Sequence, residues 1–243
     1  MTYCIGMLLD QGLVLLSDSR TNAGMDHINT FRKMTIWEKP GDRVLVLLTA
    51  GNLAISQAIV NVLNERAAAM EGEPNILNAP NLFEAAIRVG EAVREVHKRD
   101  AEALKELGVE FNASLILAGQ IAGEAPRLFQ IYSAGNFIEA TRDTPYFQIG
   151  ESKYGKPIID RVIKPEISLD EAAKCALISM DSTLRSNLSV GLPLDLVFIR
   201  RDAMKVDRHL SIDDEHPYFA MIRCRWSEAL RGAFQDLPNP HWD

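Results

Sequence analysis

The chain has 243 residues, 47% of them hydrophobic, so it is long enough to bury a sizeable core in one compact domain. Its formal net charge is −7 and its lysines and arginines form no run, which disfavours nucleic acid and anionic membrane as partners. Cys4, Cys175 and Cys224 are far apart and odd in number, which predicts buried free thiols rather than a disulfide framework or a zinc site, and no cofactor or metal is expected.

The chain lacks an apolar stretch of about 18 residues and a charged-then-apolar leader, which predicts a soluble protein of the reducing cytoplasm. Its first residues predict a β-hairpin, with strands at 3–9 and 12–18 around a turn signal at 10–12. With a loop of two or three residues, the numbers of paired residues sum to about 21–23, which places Thr2 opposite Ser19 or Arg20. The turn thus brings the Asp18 carboxylate close to the start of the chain.

The later elements come in groups of strands followed by groups of helices. Two helices are predicted at 52–70, with Asn52 as the N-cap, and 81–107, with a loop at 71–80 between them; two more are predicted at 152–163 and 168–186. The further strands are predicted at 33–38, 43–49, 113–119, 127–132, 137–140 and 194–200. This order favours the α+β class and a four-layer α-β-β-α sandwich formed by a single domain, residues 1–243, although apolar runs leave the strand pairing open.

The segment 202–243 differs in character from the rest of the chain. It is polar with interspersed aromatic residues, and residues 225–231 have a helical pattern. Aromatic residues in a polar tail often mark a contact with a neighbouring subunit, which is the prediction here; packing onto the protein's own surface is the alternative. His216 and His241 have no partner at ligand spacing and are interpreted as surface residues.

Thr2 is the candidate nucleophile. If Met1 is removed, a hydroxyl and an α-amine belong to one residue, and an α-amine titrates near about 7.7–8.0, so part of it can accept the hydroxyl proton at neutral pH. A nearby carboxylate and cation, Asp18 and Lys33, would complete such a cluster. Taken singly, each has an ordinary alternative: Thr2 as a strand start, Asp18 as a turn cap and Lys33 as a solvated lysine.

Four short segments together resemble one family. Residues 2–4, 17–24, 31–33 and 49–51 are similar to the N-terminal Thr, the Asp-Ser-Arg segment, the following Lys and the Gly-ended turn of proteasome β subunits and the HslV-type protease. These proteins are N-terminal-nucleophile hydrolases, and the resemblance is strongest to the bacterial ancestral branch of their family. It covers nearly the whole chain and implies the same sandwich fold.

The resemblance also implies roles for individual residues. Thr2 would be the nucleophile, with its own amine as the base. Lys33 would lower the pKa of the hydroxyl, and Asp18 would hold Lys33. The backbone N–H of Gly51 would serve the oxyanion hole, since a glycine lets the main chain approach the developing charge.

Two positions depart from the family pattern. Glu151 stands where these enzymes usually have serine, and a carboxylate there would raise the pKa of the amine and change the proton relay. Ser186 is the best match for a supporting serine, although Thr183 replaces the aspartate expected three residues earlier. The alternative for this segment is a helix C-terminus with Asn187 in the left-handed conformation.

The implied function is a self-assembled threonine peptidase that cleaves peptides or unfolded polypeptides. Thr21, Arg32 and Thr49 would form a polar wall of the first substrate pocket. Family members form rings or open helical rings and can use an ATPase partner, for which this sequence carries no docking signal. Two alternatives stay open: a non-proteolytic assembly or scaffold subunit with a silenced site, and a specialised amidase for small substrates.

Overall fold

The computed structural model describes residues 1–22, 28–69 and 72–242, whose strands form two antiparallel sheets and a short ribbon. Across the first sheet lie β10 (Tyr146–Gly150), β1 (Tyr3–Leu9), β2 (Gly12–Asp18), β11 (Leu194–Arg200) and β12 (Arg208–Ile212). Across the second lie β5 (Met34–Lys39), β6 (Arg43–Gly51), β7 (Ala113–Ile121), β8 (Arg127–Ile131) and β9 (Phe137–Glu139). The ribbon pairs β3 (Arg20–Asn22) with β4 (Ile28–Thr30). Ala23, Gly24, Met70, Glu71 and Asp243 lie outside the described residues.

Helices cover the outer face of each sheet. They are α1 (Leu53–Ala68), α2 (Leu82–Glu106), α3 (Lys156–Val162), α4 (Leu169–Ser186) and α5 (Pro217–Asp236). One apolar cluster joins the second sheet to α1 and α2, another joins the first sheet to α3, α4 and α5, and a third fills the space between the two sheets. The predicted α+β class and four-layer sandwich are therefore confirmed. Because strand residues alternate between the two faces of a sheet, each sheet contributes side chains to two clusters.

The first hairpin has the register that its short turn dictates. Cys4 pairs with Ser17, so the numbers of paired residues sum to 21, the lowest of the predicted values. The backbone N–H of Tyr3 donates to Asp18 Oδ1 at 3.0 Å. Local turn geometry therefore fixes the distance between the chain start and this carboxylate.

The predicted helix starts follow their capping residues. Asn52 accepts hydrogen bonds from the backbone N–H groups of Ala54 and Ile55, and α1 begins directly after it. Ser168 and Glu171 form the predicted capping box of α4. The single helix expected at 152–163 is divided: α3 covers Lys156–Val162, and a 3₁₀ turn, Ser152–Tyr154, precedes it. Gly155, between the two, approaches α4 so closely that a Cβ there would lie 2.1 Å from Ser179 Oγ.

Three features of the fold were missed by the sequence patterns. The ribbon β3–β4 and the edge strands β10 and β12 have three to five residues each, too few for apolar alternation to stand out. The C-terminal helix runs well beyond the predicted residues 225–231 on both sides. Cys224 is exposed, contrary to the prediction of a buried thiol, because it lies on α5 away from the core, whereas Cys4 and Cys175 are buried.

One side of α5 packs on the protein's own surface. Phe219 and Ile222 are buried in the cluster that α4 shares with the first sheet. Arg223 of α5 lies 3.2 Å from the buried carboxylate of Asp181 in α4, which Arg185 also contacts at 3.1 Å. Other apolar side chains of α5 remain exposed, and within residues 1–22, 28–69 and 72–242 no helix combines the length and hydropathy of a membrane span.

Candidate active site

Thr2 is held by the end of strand β10. Thr2 is buried, and its carbonyl oxygen accepts a hydrogen bond from the backbone N–H of Glu151 at 2.8 Å. Gly150 has a φ of +81°, and a Cβ on it would lie 1.9 Å from the Thr2 carbonyl oxygen. Only glycine fits such a backbone approach. Residues 150 and 151, at the end of the strand that pairs with β1 on the side opposite β2, therefore fix the main chain of Thr2.

Asp18 and Lys33 form a buried ion pair beside Thr2. Lys33 Nζ donates to Asp18 Oδ1 at 2.8 Å and to the Arg20 carbonyl oxygen at 2.6 Å. Asp18 also accepts the backbone N–H groups of Tyr3 at 3.0 Å and of Gly191 at 3.3 Å. Burial raises the pKa of the Asp18 carboxyl, and the Lys33 ammonium and these N–H donors oppose that rise. The pair fixes a cation at the place where the sequence predicted one.

The chain-terminal amine in this structure belongs to Met1, since Thr2 is still joined to it. Burial lowers the pKa of this amine, and the positive charge of Lys33 lowers it further, whereas the carboxylates of Asp18 and Glu151 raise it. A lower pKa leaves a larger neutral fraction at pH 7. More of an amine in these surroundings is therefore free to accept a proton at pH 7 than of an exposed one.

Two cavities meet at Thr2. The first has a volume of about 290 Å³ and includes Lys33 and the predicted wall residues Thr21 and Thr49 in its lining. The second, of about 430 Å³, includes Glu151 in its lining. Thr2 and Gly51 border both cavities, as do Met1 and Ala50. If a substrate bond is placed at Thr2, the two cavities leave room for the substrate groups on either side of that bond.

Arg32 does not line the first cavity, contrary to expectation. It borders a smaller neighbouring cavity of about 90 Å³ against α1, and its Nη1 lies 3.7 Å from the Asp195 carboxylate. Lys33, the next residue, faces the first cavity instead. Successive residues of an extended segment point to opposite sides, so Arg32 and Lys33 cannot both face one pocket.

Gly51 and Ser186 lie in contrasting places. Gly51 ends β6 with a φ of +111°, and a Cβ on it would lie 2.4 Å from the Asn112 carbonyl oxygen, so this turn requires glycine at the edge of both cavities. Ser186 is the last residue of α4, is exposed and, within the described part of the chain, is absent from the linings of both cavities. Asn187 after it is extended, with a φ of −144°, so the left-handed alternative is wrong.

A polar contact behind the site was not predicted. The Tyr3 hydroxyl lies 2.7 Å from Ser179 Oγ, and the Gln148 side-chain amide donates to the same hydroxyl. Burial raises the pKa of Tyr3. The contact ties β1 to α4 directly next to Thr2. Its one signal in the sequence was Ser179 itself, a polar residue on the apolar stripe of a predicted helix.

Known proteins share this fold and much of this sequence. A family model described as proteasome subunit matches residues 2–198. The chain is 26% identical over 202 residues to proteasome subunit beta 2 of Pyrobaculum calidifontis, covering 83% of this chain and 90% of that protein.

Two solved structures are more similar still. Anbu (ancestral beta-subunit) from Yersinia bercovieri is 54% identical with a TM-score of 0.93, covering 99% of each chain. The helical assembly of the Anbu complex from Pseudomonas aeruginosa is 48% identical with a TM-score of 0.93, covering 98% of each chain. These matches confirm the resemblance inferred from the sequence.

Proposed function

Because this chain belongs to the proteasome subunit family, we propose that it hydrolyses peptide amide bonds with Thr2 as the nucleophile once the Met1–Thr2 bond is cut. The observation that best supports the proposal is the buried Asp18–Lys33 pair, whose cation lines the cavity that Thr2 borders. A fixed positive charge there favours ionisation of a hydroxyl and keeps an adjacent amine neutral. The alternative of an ordinary surface lysine does not fit a side chain that is only 5% exposed.

The proposed reaction has two halves. Thr2 Oγ attacks the carbonyl carbon, the α-amine of Thr2 takes the hydroxyl proton, and the resulting oxyanion is stabilised at the Gly51 turn. The carbon–nitrogen bond then breaks as the ammonium returns the proton to the leaving nitrogen, which leaves an ester on Thr2. Water attacks this ester in the second half, the amine accepts a proton from the water, and Thr2 Oγ recovers it when the acid is released.

Intact-protein mass spectrometry before and after treatment with a peptide epoxyketone tests the proposal. This reagent needs both the hydroxyl and the free amine of an N-terminal threonine, so we expect a mass without Met1 and one adduct per chain. The Thr2→Ala protein should assemble normally, form no adduct and hydrolyse no peptide. Equal peptide hydrolysis by the native and Thr2→Ala proteins would sink the mechanism.

A second candidate function is a scaffold subunit with a silenced site. Two observations favour it: Glu151 occupies the position expected for serine, and Ser186 is exposed at the end of α4. The same experiment separates the candidates, because a scaffold subunit would retain Met1 or form no adduct while assembling fully.

Self-association is part of the proposal. The Pseudomonas aeruginosa relative is described as a helical assembly, and a head-to-tail contact between copies of this chain can produce a ring or a helix. We assign the contact to the exposed apolar side of α5, where Phe234 is 77% exposed and Leu230 is 52% exposed. Phe234→Ser should give smaller particles in sedimentation velocity, whereas Leu107→Ser, an exposed leucine beyond α2, should sediment like the native protein.

The cytoplasm is the proposed location, since Cys4, Cys175 and Cys224 are free.

A further inference from the structure

Glu151 carries a buried carboxylate oxygen that lacks a donor. Its side chain is 12% exposed, and among the described residues none makes a hydrogen bond to its buried Oε2. Lys153 Nζ lies 3.5 Å from Oε2, but its own side chain is 68% exposed. A buried acceptor without a donor is costly to the protein, so a donor that reaches Oε2 would be bound well.

The cavity beside Glu151 has a mixed polar and apolar lining and lies against the reacting residue. Its lining includes Met1, Thr2, Asn112, Ser114 and Glu151. Its volume of about 430 Å³ exceeds that of the first cavity, and Glu151 is the acidic residue of its lining. The carboxylate therefore supplies the negative charge of this lining.

Under the proposed function, the position of this cavity indicates which part of a substrate enters it. The leaving nitrogen takes its proton from the α-ammonium of Thr2, so the leaving group must lie next to that amine. Glu151 acts on the amine at this end of the chain, since its charge raises the pKa of the Met1 amine in the unprocessed protein. The first cavity, with Thr21, Lys33 and Thr49, remains for the side chain of the acyl part.

We propose that the cavity lined by Glu151 is a subsite for a cationic side chain, lysine or arginine, on the first residue of the leaving group. The inference rests on the proposed function and adds a substrate class to it. An ammonium or guanidinium group supplies the donors that Oε2 lacks and pairs with a desolvated charge. Lys153, whose side chain is 68% exposed, returns to water when a substrate cation replaces it.

Matched quenched-fluorescence peptides test the preference. They differ only at the first leaving-group residue, which is lysine or the uncharged isostere norleucine, and the readout is the ratio of their kcat/KM values within each protein. We expect the native protein to favour lysine by roughly tenfold, the value of one charge-assisted hydrogen bond, and Glu151→Gln to bring the ratio close to one. Glu102→Gln, which removes an exposed carboxylate from α2, should keep the native ratio.

A variant of the opposite sign sharpens the test. Lys153→Gln removes the cation that competes for Glu151, and we expect it to raise the lysine preference. Because Lys153 is exposed, this substitution leaves the core intact. A native ratio near one, or a ratio that Glu151→Gln does not change, overturns the inference.

A binding measurement separates this inference from the proposed function. Peptides that begin with lysine or norleucine, as the released leaving group would, are titrated calorimetrically into the Thr2→Ala protein, which has the cavity but no nucleophile. Roughly tenfold tighter binding of the lysine peptide, lost in Thr2→Ala/Glu151→Gln, supports the subsite even if the native protein hydrolyses no peptide. Equal binding of the two peptides overturns the subsite, even if hydrolysis is observed.

Discussion

The two carboxylates beside Thr2 have opposite surroundings. Asp18 is fully buried and accepts three donors, from Lys33 and from the backbone of Tyr3 and Gly191. Glu151 is buried at Oε2 without a hydrogen bond from the described residues, and its ion-pair partner is exposed. A satisfied buried charge is part of the framework, whereas an unsatisfied one gains from any donor that can reach it.

Removing the partner of Asp18 gives the largest expected effect. Lys33→Ala leaves the Asp18 carboxylate buried without its cation, which should cost about 3–5 kcal/mol in the free energy of unfolding and abolish peptide hydrolysis. Urea denaturation and kcat/KM measure the two effects. Lys39→Ala, at the exposed end of β5, the strand that follows Lys33, is the control and should change neither. A mild loss of activity in Lys33→Ala would mean that the terminal amine works without this cation.

Gly150 tests the backbone contact on the Glu151 side. Gly150→Ala combines a left-handed backbone, φ +81°, with a Cβ 1.9 Å from the Thr2 carbonyl oxygen. Gly108→Ala has a similar φ of +69° but meets nothing within 4 Å, so it measures the backbone strain alone, about 1 kcal/mol. We expect Gly150→Ala to lower the free energy of unfolding by more than its control does and to slow epoxyketone modification. Equal destabilisation by both variants would show that the Thr2 backbone moves freely.

The pH dependence of Thr2 modification by the epoxyketone compares the effects of Lys33, Asp18 and Glu151 on the pKa of the terminal amine. Burial and Lys33 lower the pKa of the Met1 amine, and we expect the same surroundings to lower that of the Thr2 amine after processing. The modification rate of the processed protein should then reach its plateau at a lower pH than that of a free threonine peptide. Glu151 and Asp18 raise the same pKa, so Glu151→Gln should move the midpoint to still lower pH. A midpoint that rises in Glu151→Gln would contradict this assignment of the charges.

Much of the fold and half of the site followed from local patterns. The hairpin and the caps of α1 and α4 rest on short-range turn and capping chemistry, so the sequence predicted them. The proximity of Thr2 and Asp18 follows from the same hairpin, because a two-residue turn leaves few registers. The placement of Arg32 came from the family resemblance and failed, because its neighbour Lys33 faces the first cavity and successive residues of an extended segment point to opposite sides.

The sequence by itself determined the class of the fold, the first hairpin and the pairing of a threonine with a carboxylate at its open end. Only the tertiary structure decided that β10 pairs with β1 and that Gly150 and Glu151 therefore hold Thr2. It also decided that Gly191 donates to Asp18, that Ser179 contacts Tyr3 and that Ser186 faces solvent. These contacts join residues far apart in the chain through short strands and loops, whose few residues carry no periodic signal, so packing rather than local preference fixes them.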